Sequence, residues 1–358
     1  MNKKLDIVQA MRGCAALLVV MLHGYDVLWD VSPTYHTTWG EALFFPGACG
    51  VDLFFMISGF IMVYATTTAD ASFQYSKSFW IKRFARIWPV YFVLTLLNGI
   101  PSFDLHGMLT VAKSLSFQPL SNLDAPYYGR AALDVGWTLN YEMYFYFIFG
   151  LSMLFVRRWV VFFGIIVLTL LVLPFLYAGY VSFNPYNLYG FLNYLNIVTN
   201  PMIWEFVVGV VIGLIYQSSW TINNPRILQG LIALAFAVFV SQYFSGFDSG
   251  FGITHLGASL AFLVLFVMLY NKSWPIYVPR FLVWLGNISF SLYLIHPLFL
   301  HLLHHVYGSP YNSLFVAIMS FYPPLLIACS LICAALSYRY LECQLSEWVK
   351  IKLLRFLA

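Results

Sequence analysis

The sequence predicts an all-α, polytopic membrane protein with about ten transmembrane helices and both termini in the cytoplasm. Of its 358 residues, 61% are hydrophobic and only 9% are Asp, Glu, Lys or Arg, whereas a soluble domain carries about 25% charged residues. The apolar residues form continuous runs, and the basic residues fall in short clusters between them. So few charges cannot cover a water-facing surface, which argues against a soluble enzyme, a disordered chain and a nucleic-acid-binding protein.

Ten segments of the chain are long enough to cross a membrane, because a hydrocarbon core about 30 Å thick requires roughly 20 helical residues. Their apolar residues do not alternate with polar ones, so helices are predicted and a closed β-barrel is not. The candidate spans are 5–25, 43–65, 84–100, 133–156, 159–179, 198–217, 227–244, 253–270, 282–305 and 313–338. We expect one transmembrane domain over residues 1–345 and a short basic cytoplasmic tail over residues 346–358.

The basic residues predict the orientation of these spans, because cytoplasmic loops of membrane proteins carry an excess of Lys and Arg. With the N-terminus in the cytoplasm, 16 of the 18 basic residues fall on the inner side. Lys113 and Arg130 are the two that fall outside. An even number of spans then places the C-terminus in the cytoplasm as well.

The first predicted span carries two ionisable residues, Arg12 and His23. Eleven residues are three helical turns, so the two side chains are offset by only about 20° and lie about 16 Å apart along the axis. Ionisable groups inside a bilayer are costly and are candidates for function. The alternative is structural: Arg12 extends toward the cytoplasmic surface, and His23 bonds a neighbouring carbonyl.

Two acidic residues inside apolar spans are candidates for the chemistry around His23. Asp52, in the second span, is predicted at a depth comparable with that of His23, where a carboxylate can orient an imidazole that acts as a general base. Glu142, in the fourth span, is the second candidate for this role. The capping of a kink near Gly50 explains Asp52 equally well, and a bond to a neighbouring helix explains Glu205 in the sixth span as well as a functional role does.

A pair of arginines, Arg83 and Arg86, marks the predicted cytoplasmic start of the third span. Residues at i and i+3 project from the same side of a helix, and guanidinium groups bind phosphate oxygens in a bidentate manner. The pair therefore suits a phosphate or pyrophosphate. Ordinary anchoring of a helix end by positive charge is the alternative.

No metal site is predicted. His301, His304 and His305 have i, i+3, i+4 spacing, but no carboxylate lies near them in the sequence, and the five cysteines form no CxxC pattern. His296 precedes Pro297, and the simplest interpretation is that it bonds a backbone group that the proline leaves unpaired.

Five segments are characteristic when they occur together and in this order. They are Arg12 followed eleven residues later by His23, GVDLFFMISGF at 50–60, Arg-x-x-Arg with an aromatic residue and Pro at 83–89, WTLNYEMYFY at 137–146, and SFSLYLIHP at 289–297. Together they resemble the acyltransferase-3 family of membrane-bound bacterial O-acyltransferases, over about residues 5–345. One departure lies at Cys343 and Gln344, where relatives often carry a basic residue and Pro.

This resemblance implies transfer of an acyl group, usually acetyl, from cytoplasmic acyl-CoA to a hydroxyl of a cell-surface or exported glycan or of a lipid-linked saccharide. It implies a multi-pass protein of the bacterial inner membrane, with His23 catalytic and with Arg12, Arg83 and Arg86 at the donor site. Acetyl-CoA is the expected donor, and neither a metal nor a nucleic-acid partner is expected. Because the chain stops at Ala358, the form without a fused SGNH hydrolase domain is expected.

The mechanism that we expect combines these residues. The donor phosphates dock on Arg83 and Arg86 with help from Arg12, and the thioester reaches His23, the general base, which Asp52 or Glu142 orients. An acyl-histidine intermediate is an alternative route. Aromatic and acidic side chains in the predicted outer loop 26–42 suit sugar rings, and an interfacial aromatic belt explains them equally well.

The competing hypothesis is a transporter or flippase of a glycan or of an acyl intermediate. Such proteins place polar residues in several helices and often contain broken helices in matching halves. Here the fifth, seventh and eighth spans are almost free of polar groups, and the candidate functional residues concentrate in the first four spans. This distribution favours the enzyme.

Overall fold

The protein is all-helical in the residues that its computed structural model describes, which are 5–31, 38–98, 104–245, 250–307 and 322–356. Side chains are described for all of these except 27–31, 38, 300–307 and 322–324. The α-helices are α1 Asp6–Val31, α2 Thr38–Phe44, α3 Cys49–Ala65, α4 Phe73–Asn98, α5 Leu105–Leu115, α6 Trp137–Ser152, α7 Arg158–Val167, α8 Leu173–Ala178, α9 Tyr194–Thr199, α10 Ile203–Gln217, α11 Pro225–Phe244, α12 Gly257–Ser273, α13 Arg280–Tyr307, α14 Tyr322–Ser337 and α15 Ser346–Phe356. No strand occurs in these ranges, which confirms the predicted helical class.

Six helical segments in the described ranges are long and apolar enough to cross a membrane. They are Asp6–Asp26, Trp39–Ala65, Arg158–Ala178, Pro225–Phe244, Arg280–Phe299 and Leu325–Phe356. Two shorter apolar helices, Ile203–Gln217 and Gly257–Ser273, coincide with further predicted spans. A multi-pass membrane protein is therefore supported, while the count of ten spans and the location of the termini stay predictions.

Several helix boundaries differ from those predicted. Helix α4 begins at Phe73 and not near residue 84, because a helix continues through polar residues that a hydropathy criterion excludes. Helix α1 continues to Val31, and α2 begins at Thr38, so much of the predicted loop 26–42 is helical. Residues 32–37 of that loop lie outside the described ranges.

The chain divides into two compact units, and the first contains residues 1–65 and 204–334. Within it α1 packs closely on α13. A Cβ atom added to Gly13 would lie only 2.9 Å from the backbone nitrogen of Gly286. A Cβ added to Gly286 would overlap the backbone of Gln9. Two glycines thus let the helix backbones touch, as small residues do between membrane helices.

A second close contact in this unit joins α3 and α10. A Cβ added to Gly209 would overlap the backbone carbonyl of Met56, and one added to Gly59 would overlap that of Phe206. Beside this contact lies an apolar core with side chains from α1, α3, α10 and α12, which include Val8, Leu53, Ile57, Phe60, Ile212, Leu260, Val264 and Met268.

The second unit contains residues 66–203 and 335–358. Helix α4 packs against α6, where the indole nitrogen of Trp80 donates to the backbone carbonyls of Tyr146 and Phe147 at 3.2 and 3.3 Å. Helix α15, which covers most of the predicted tail, packs against α4. Between α14 and α15 the chain forms a π-helix over Tyr338–Leu345.

The α3–α10 contact predicts that a Gly→Ala substitution within it lowers stability, whereas a Gly→Ala substitution on an open helix face does not. Gly209→Ala places a methyl group on the Met56 carbonyl and should cost about 1–3 kcal/mol of stability, as overpacking does. Gly230→Ala, on α11, meets nothing within 4 Å and should leave stability unchanged or raise it by about 0.5–1 kcal/mol, because alanine favours helix. Thermal unfolding of both variants in the same detergent measures the difference, and equal transition temperatures would contradict this packing.

Candidate active site

Two histidines meet where α1 and α13 run side by side in the first unit. Nδ1 of His23 lies 3.2 Å from Nε2 of His296, and the ring centroids are 5.0 Å apart. His296 is fully buried, whereas His23 is partly buried. The close approach of the two helices at Gly13 and Gly286 brings these side chains, 273 residues apart in sequence, within hydrogen-bond distance.

In each ring Nδ1 faces a backbone carbonyl group, and from this contact we assign the tautomer. Nδ1 of His23 lies 3.0 Å from the carbonyl oxygen of Val19, and Nδ1 of His296 lies 3.3 Å from that of Leu292. Because a carbonyl oxygen only accepts hydrogen bonds, we assign the proton of each neutral ring to Nδ1. On this assignment the single Nδ1–H of His23 is shared between the Val19 carbonyl and Nε2 of His296, and the lone pair of His23 lies on Nε2. An imidazole held in this way is suited to general base catalysis.

His296 is the residue that sequence reasoning missed. It bonds the backbone of Leu292 and of Tyr293, and Tyr293 is the residue whose helical donor Pro297 removes, as predicted. Its second nitrogen, however, contacts His23. The available signal was its place in the SFSLYLIHP motif, in the middle of an apolar span, where an ionisable residue is itself a candidate for function.

Asp52 and Glu205 lie in the first turns of α3 and α10 and are both fully buried. Oδ1 of Asp52 accepts a hydrogen bond from the backbone N–H of Gly252 at 3.2 Å, and the Glu205 carboxyl lies against that of Asp52. Glu205 therefore meets a neighbouring helix, as its structural interpretation predicted. The described contacts of Asp52 are with these two residues, and its role in orienting His23 stays a prediction.

Glu142 and Arg83 lie in the second unit, where Tyr146 connects them. The guanidinium carbon of Arg83 lies 5.4 Å from the ring centroid of Phe79 and 5.6 Å from that of Tyr146. The Tyr146 hydroxyl donates a hydrogen bond to Oε1 of Glu142. Cation–π contacts of this kind hold a guanidinium group against the rings. The sequence motifs did not predict this cluster.

The structure thus distributes the six predicted site residues over the two units. Arg12, His23 and Asp52 belong to the first. Glu142, Arg83 and Arg86 belong to the second. The arginines lie in the middle of α4 and not at its start, because that helix begins ten residues before Arg83. Their i, i+3 spacing keeps them on one side of the helix, as predicted.

The described residues contain no group of three or more His, Cys, Asp or Glu side chains that could hold a metal ion. The three histidines with metal-ligand spacing belong to a segment whose side chains are not described. They are His301, His304 and His305.

Comparison with known proteins agrees with these motifs. The acyltransferase-3 family, described as an acyltransferase domain, matches residues 5–338. "Exopolysaccharide production protein ExoZ" of Rhizobium meliloti (strain 1021) is 36% identical over 176 residues, which are 47% of this chain and 50% of that protein. A "Putative O-acetyltransferase" of Staphylococcus aureus (strain COL) is 23% identical over 345 residues, which are 83% of this chain and 52% of that protein.

A viral protein, the "Putative acetyltransferase ORF330" of Acidianus two-tailed virus, is 25% identical over 304 residues, or 82% of each chain. The chain spans about half the length of the two bacterial relatives. No solved structure matches it. The family match covers nearly the whole sequence and includes both histidines of the pair. The chain therefore belongs to the acyltransferase-3 family.

Proposed function

We propose that this protein is an O-acyltransferase of the bacterial inner membrane that moves an acyl group, acetyl in the first instance, from acyl-CoA to a glycan hydroxyl. Membership of the acyltransferase-3 family supports acyl transfer. Relatives named for O-acetyl transfer and exopolysaccharide production support the acetyl group and the glycan acceptor. The observation that carries the proposal is the hydrogen-bonded pair of His23 and His296.

In the proposed reaction, Nε2 of His23 removes the proton of the acceptor hydroxyl while the hydroxyl oxygen attacks the thioester carbonyl carbon. The carbon–sulfur bond then breaks and leaves the acyl group on the acceptor oxygen as an ester. The proton passes from the imidazolium to the CoA thiolate, which restores neutral His23. His296 positions His23 throughout, because its Nε2 lies 3.2 Å from Nδ1 of His23 and accepts the Nδ1–H in the tautomer that we assign.

The donor is recognised through its phosphates. Arg83 and Arg86 form two cations on one side of α4, and the rings of Phe79 and Tyr146 hold the Arg83 guanidinium. A guanidinium held in one plane can bind phosphate oxygens in a bidentate manner. We assign the 3′-phosphate or pyrophosphate of acyl-CoA to this pair of arginines.

Replacement of His23 tests the general base. His23→Ala should lower kcat for acetyl transfer by about 10²–10⁴-fold, which is the usual contribution of a positioned base. Consumption of the acetyl-CoA thioester by purified protein in detergent is the measurement, since a transporter or flippase would not consume it. His106→Ala, which removes an exposed histidine, is the matched control. Wild-type turnover by His23→Ala at equal expression would refute the assignment.

Replacement of His296 tests the positioning role. His296→Phe removes the acceptor for His23 Nδ1–H and should lower kcat about tenfold or more, with little change in KM for acetyl-CoA, because a lost buried hydrogen bond costs about 1–3 kcal/mol. His296→Gln keeps an acceptor atom near the position of Nε2 and should recover part of the turnover. Equal losses in the two variants, or a loss confined to KM, would contradict the positioning role.

Replacement of the arginines tests the donor site. Arg83→Ala should weaken acetyl-CoA binding about tenfold or more, because hydrogen bonds to charged groups contribute about 1.5–3 kcal/mol. Binding of acetyl-pantetheine, which lacks the nucleotide and its phosphates, should not change. Arg157→Ala, at an exposed arginine of the same unit, is the control. If Arg83→Ala and Arg86→Ala leave acetyl-CoA affinity unchanged, the phosphates bind elsewhere.

A further inference from the structure

A cavity of 560 Å³ lies within the second unit, apart from the arginine pair. The end of α5 and the turn after it form one wall, α6 forms the second, and the start of α9 forms the third. Its volume falls within the range of about 300–1,000 Å³ that small-molecule sites occupy. The side chains that matter for its chemistry are Lys113, Gln118, Phe147, Asn193 and Tyr194.

Lys113 gives this cavity a cation. The charge pattern places only Lys113 and Arg130 on the outer side. Arg130 is neutralised, because its Nη1 lies 2.7 Å from Oδ2 of Asp134, and its guanidinium stacks on Tyr127. Lys113 is exposed at the cavity wall and forms no ion pair in the described part of the chain. An anionic group entering from outside would therefore find its countercharge here.

Two residues of the wall have backbone conformations that are rare outside glycine. Phe117 has φ 57° and Asn193 has φ 52° with ψ −129°. Such strain persists where the surrounding structure fixes it, and it clusters at ligand sites. Here the backbone N–H of Asn193 donates to Oδ1 of Asn122 at 2.6 Å, and the ring of Phe117 stacks on Tyr91 at 5.8 Å. The cavity wall is therefore held in place before any ligand binds.

The side chains match a sugar. Aromatic rings such as Phe147 and Tyr194 offer flat apolar faces for the C–H groups of a pyranose. The amides of Gln118 and Asn193 each offer donors and an acceptor for hydroxyl groups. Lys113 adds three donors and a positive charge, which neutral sugars do not require. The combination therefore suits a saccharide that carries an acidic substituent.

We propose that this cavity binds the acceptor glycan of the transfer reaction through a sugar unit that carries a carboxylate or another anionic group. The proposal rests on the proposed function, since it supplies the acceptor for the same reaction. The wall at the end of α5 belongs to the segment between the third and fourth predicted spans, and Asn193 and Tyr194 belong to the segment between the fifth and sixth. The orientation places both segments outside, where an exported glycan is accessible, and Phe147 extends the cavity along the fourth span.

The test uses the full chain purified in detergent and, as acceptor, oligosaccharides released by mild acid from the surface polysaccharide of a strain that lacks the gene. Lys113→Ala, Gln118→Ala and Asn193→Gly remove the three polar side chains. Glycine at position 193 retains the positive φ without strain. Each variant should raise KM for the oligosaccharides about tenfold, as loss of one polar contact does. KM for acetyl-CoA should not change.

Two further measurements separate charge from shape. Lys113→Arg keeps the cation and should restore most of the lost affinity, and 1 M salt should raise the wild-type KM by screening the charge. Arg226→Ala removes an exposed cation of the first unit and serves as the control.

The outcomes distinguish this proposal from the function on which it rests. If the wild type transfers no acyl group to the oligosaccharides, the proposed function fails. If it transfers and none of the three variants changes KM for the glycan, the cavity is not the acceptor site. If Gln118→Ala and Asn193→Gly raise KM for the glycan and Lys113→Ala does not, the cavity binds the glycan but does not recognise an acidic substituent. If Lys113→Ala changes only the response to anionic lipid in nanodiscs, the cavity binds a lipid phosphate, which overturns the proposal.

Discussion

Water is absent from the interior of a bilayer, so a polar side chain buried there must find its partner within the protein. This constraint explains the arrangement of the polar residues in the first unit. The His23 ring meets a backbone carbonyl and His296, and Asp52 meets the Gly252 amide. Each contact except the carbonyl joins separate segments of the chain. The contacts that satisfy these hydrogen bonds therefore also orient the ring of the proposed base.

The helical class was predictable because it depends on local composition. A run of apolar residues must be helical in lipid whatever its neighbours are, so α13, observed at Arg280–Tyr307, lies within a few residues of its predicted span at 282–305. The start of α4 was not predictable in the same way. Polar residues such as Lys77 and Lys82 end an apolar run but not a helix, whose backbone hydrogen bonds do not depend on side-chain polarity.

The candidate site was predictable only where its residues share one helix. Arg12 and His23 lie on α1, and Arg83 and Arg86 lie on α4, so helical periodicity alone places each pair on one side. The contact between His23 and His296 depends on how two helices pack across 273 residues of sequence. No local pattern encodes that packing. Similarly, the Tyr146 hydroxyl reaches Glu142 one helical turn away, but the stacking of Arg83 on Tyr146 requires α4 to meet α6.

The contact between Gly13 and Gly286 has no reactive group, yet the proposed chemistry depends on it. Gly286 precedes His296 by ten residues, which is about 15 Å of helix. Any larger side chain there would separate α1 from α13 and draw the two imidazoles apart. If turnover proceeds as proposed, it therefore depends on the association of α1 with α13. A substitution at Gly13 or Gly286, remote from the reacting atoms, would then abolish activity although every polar residue of the site is unchanged.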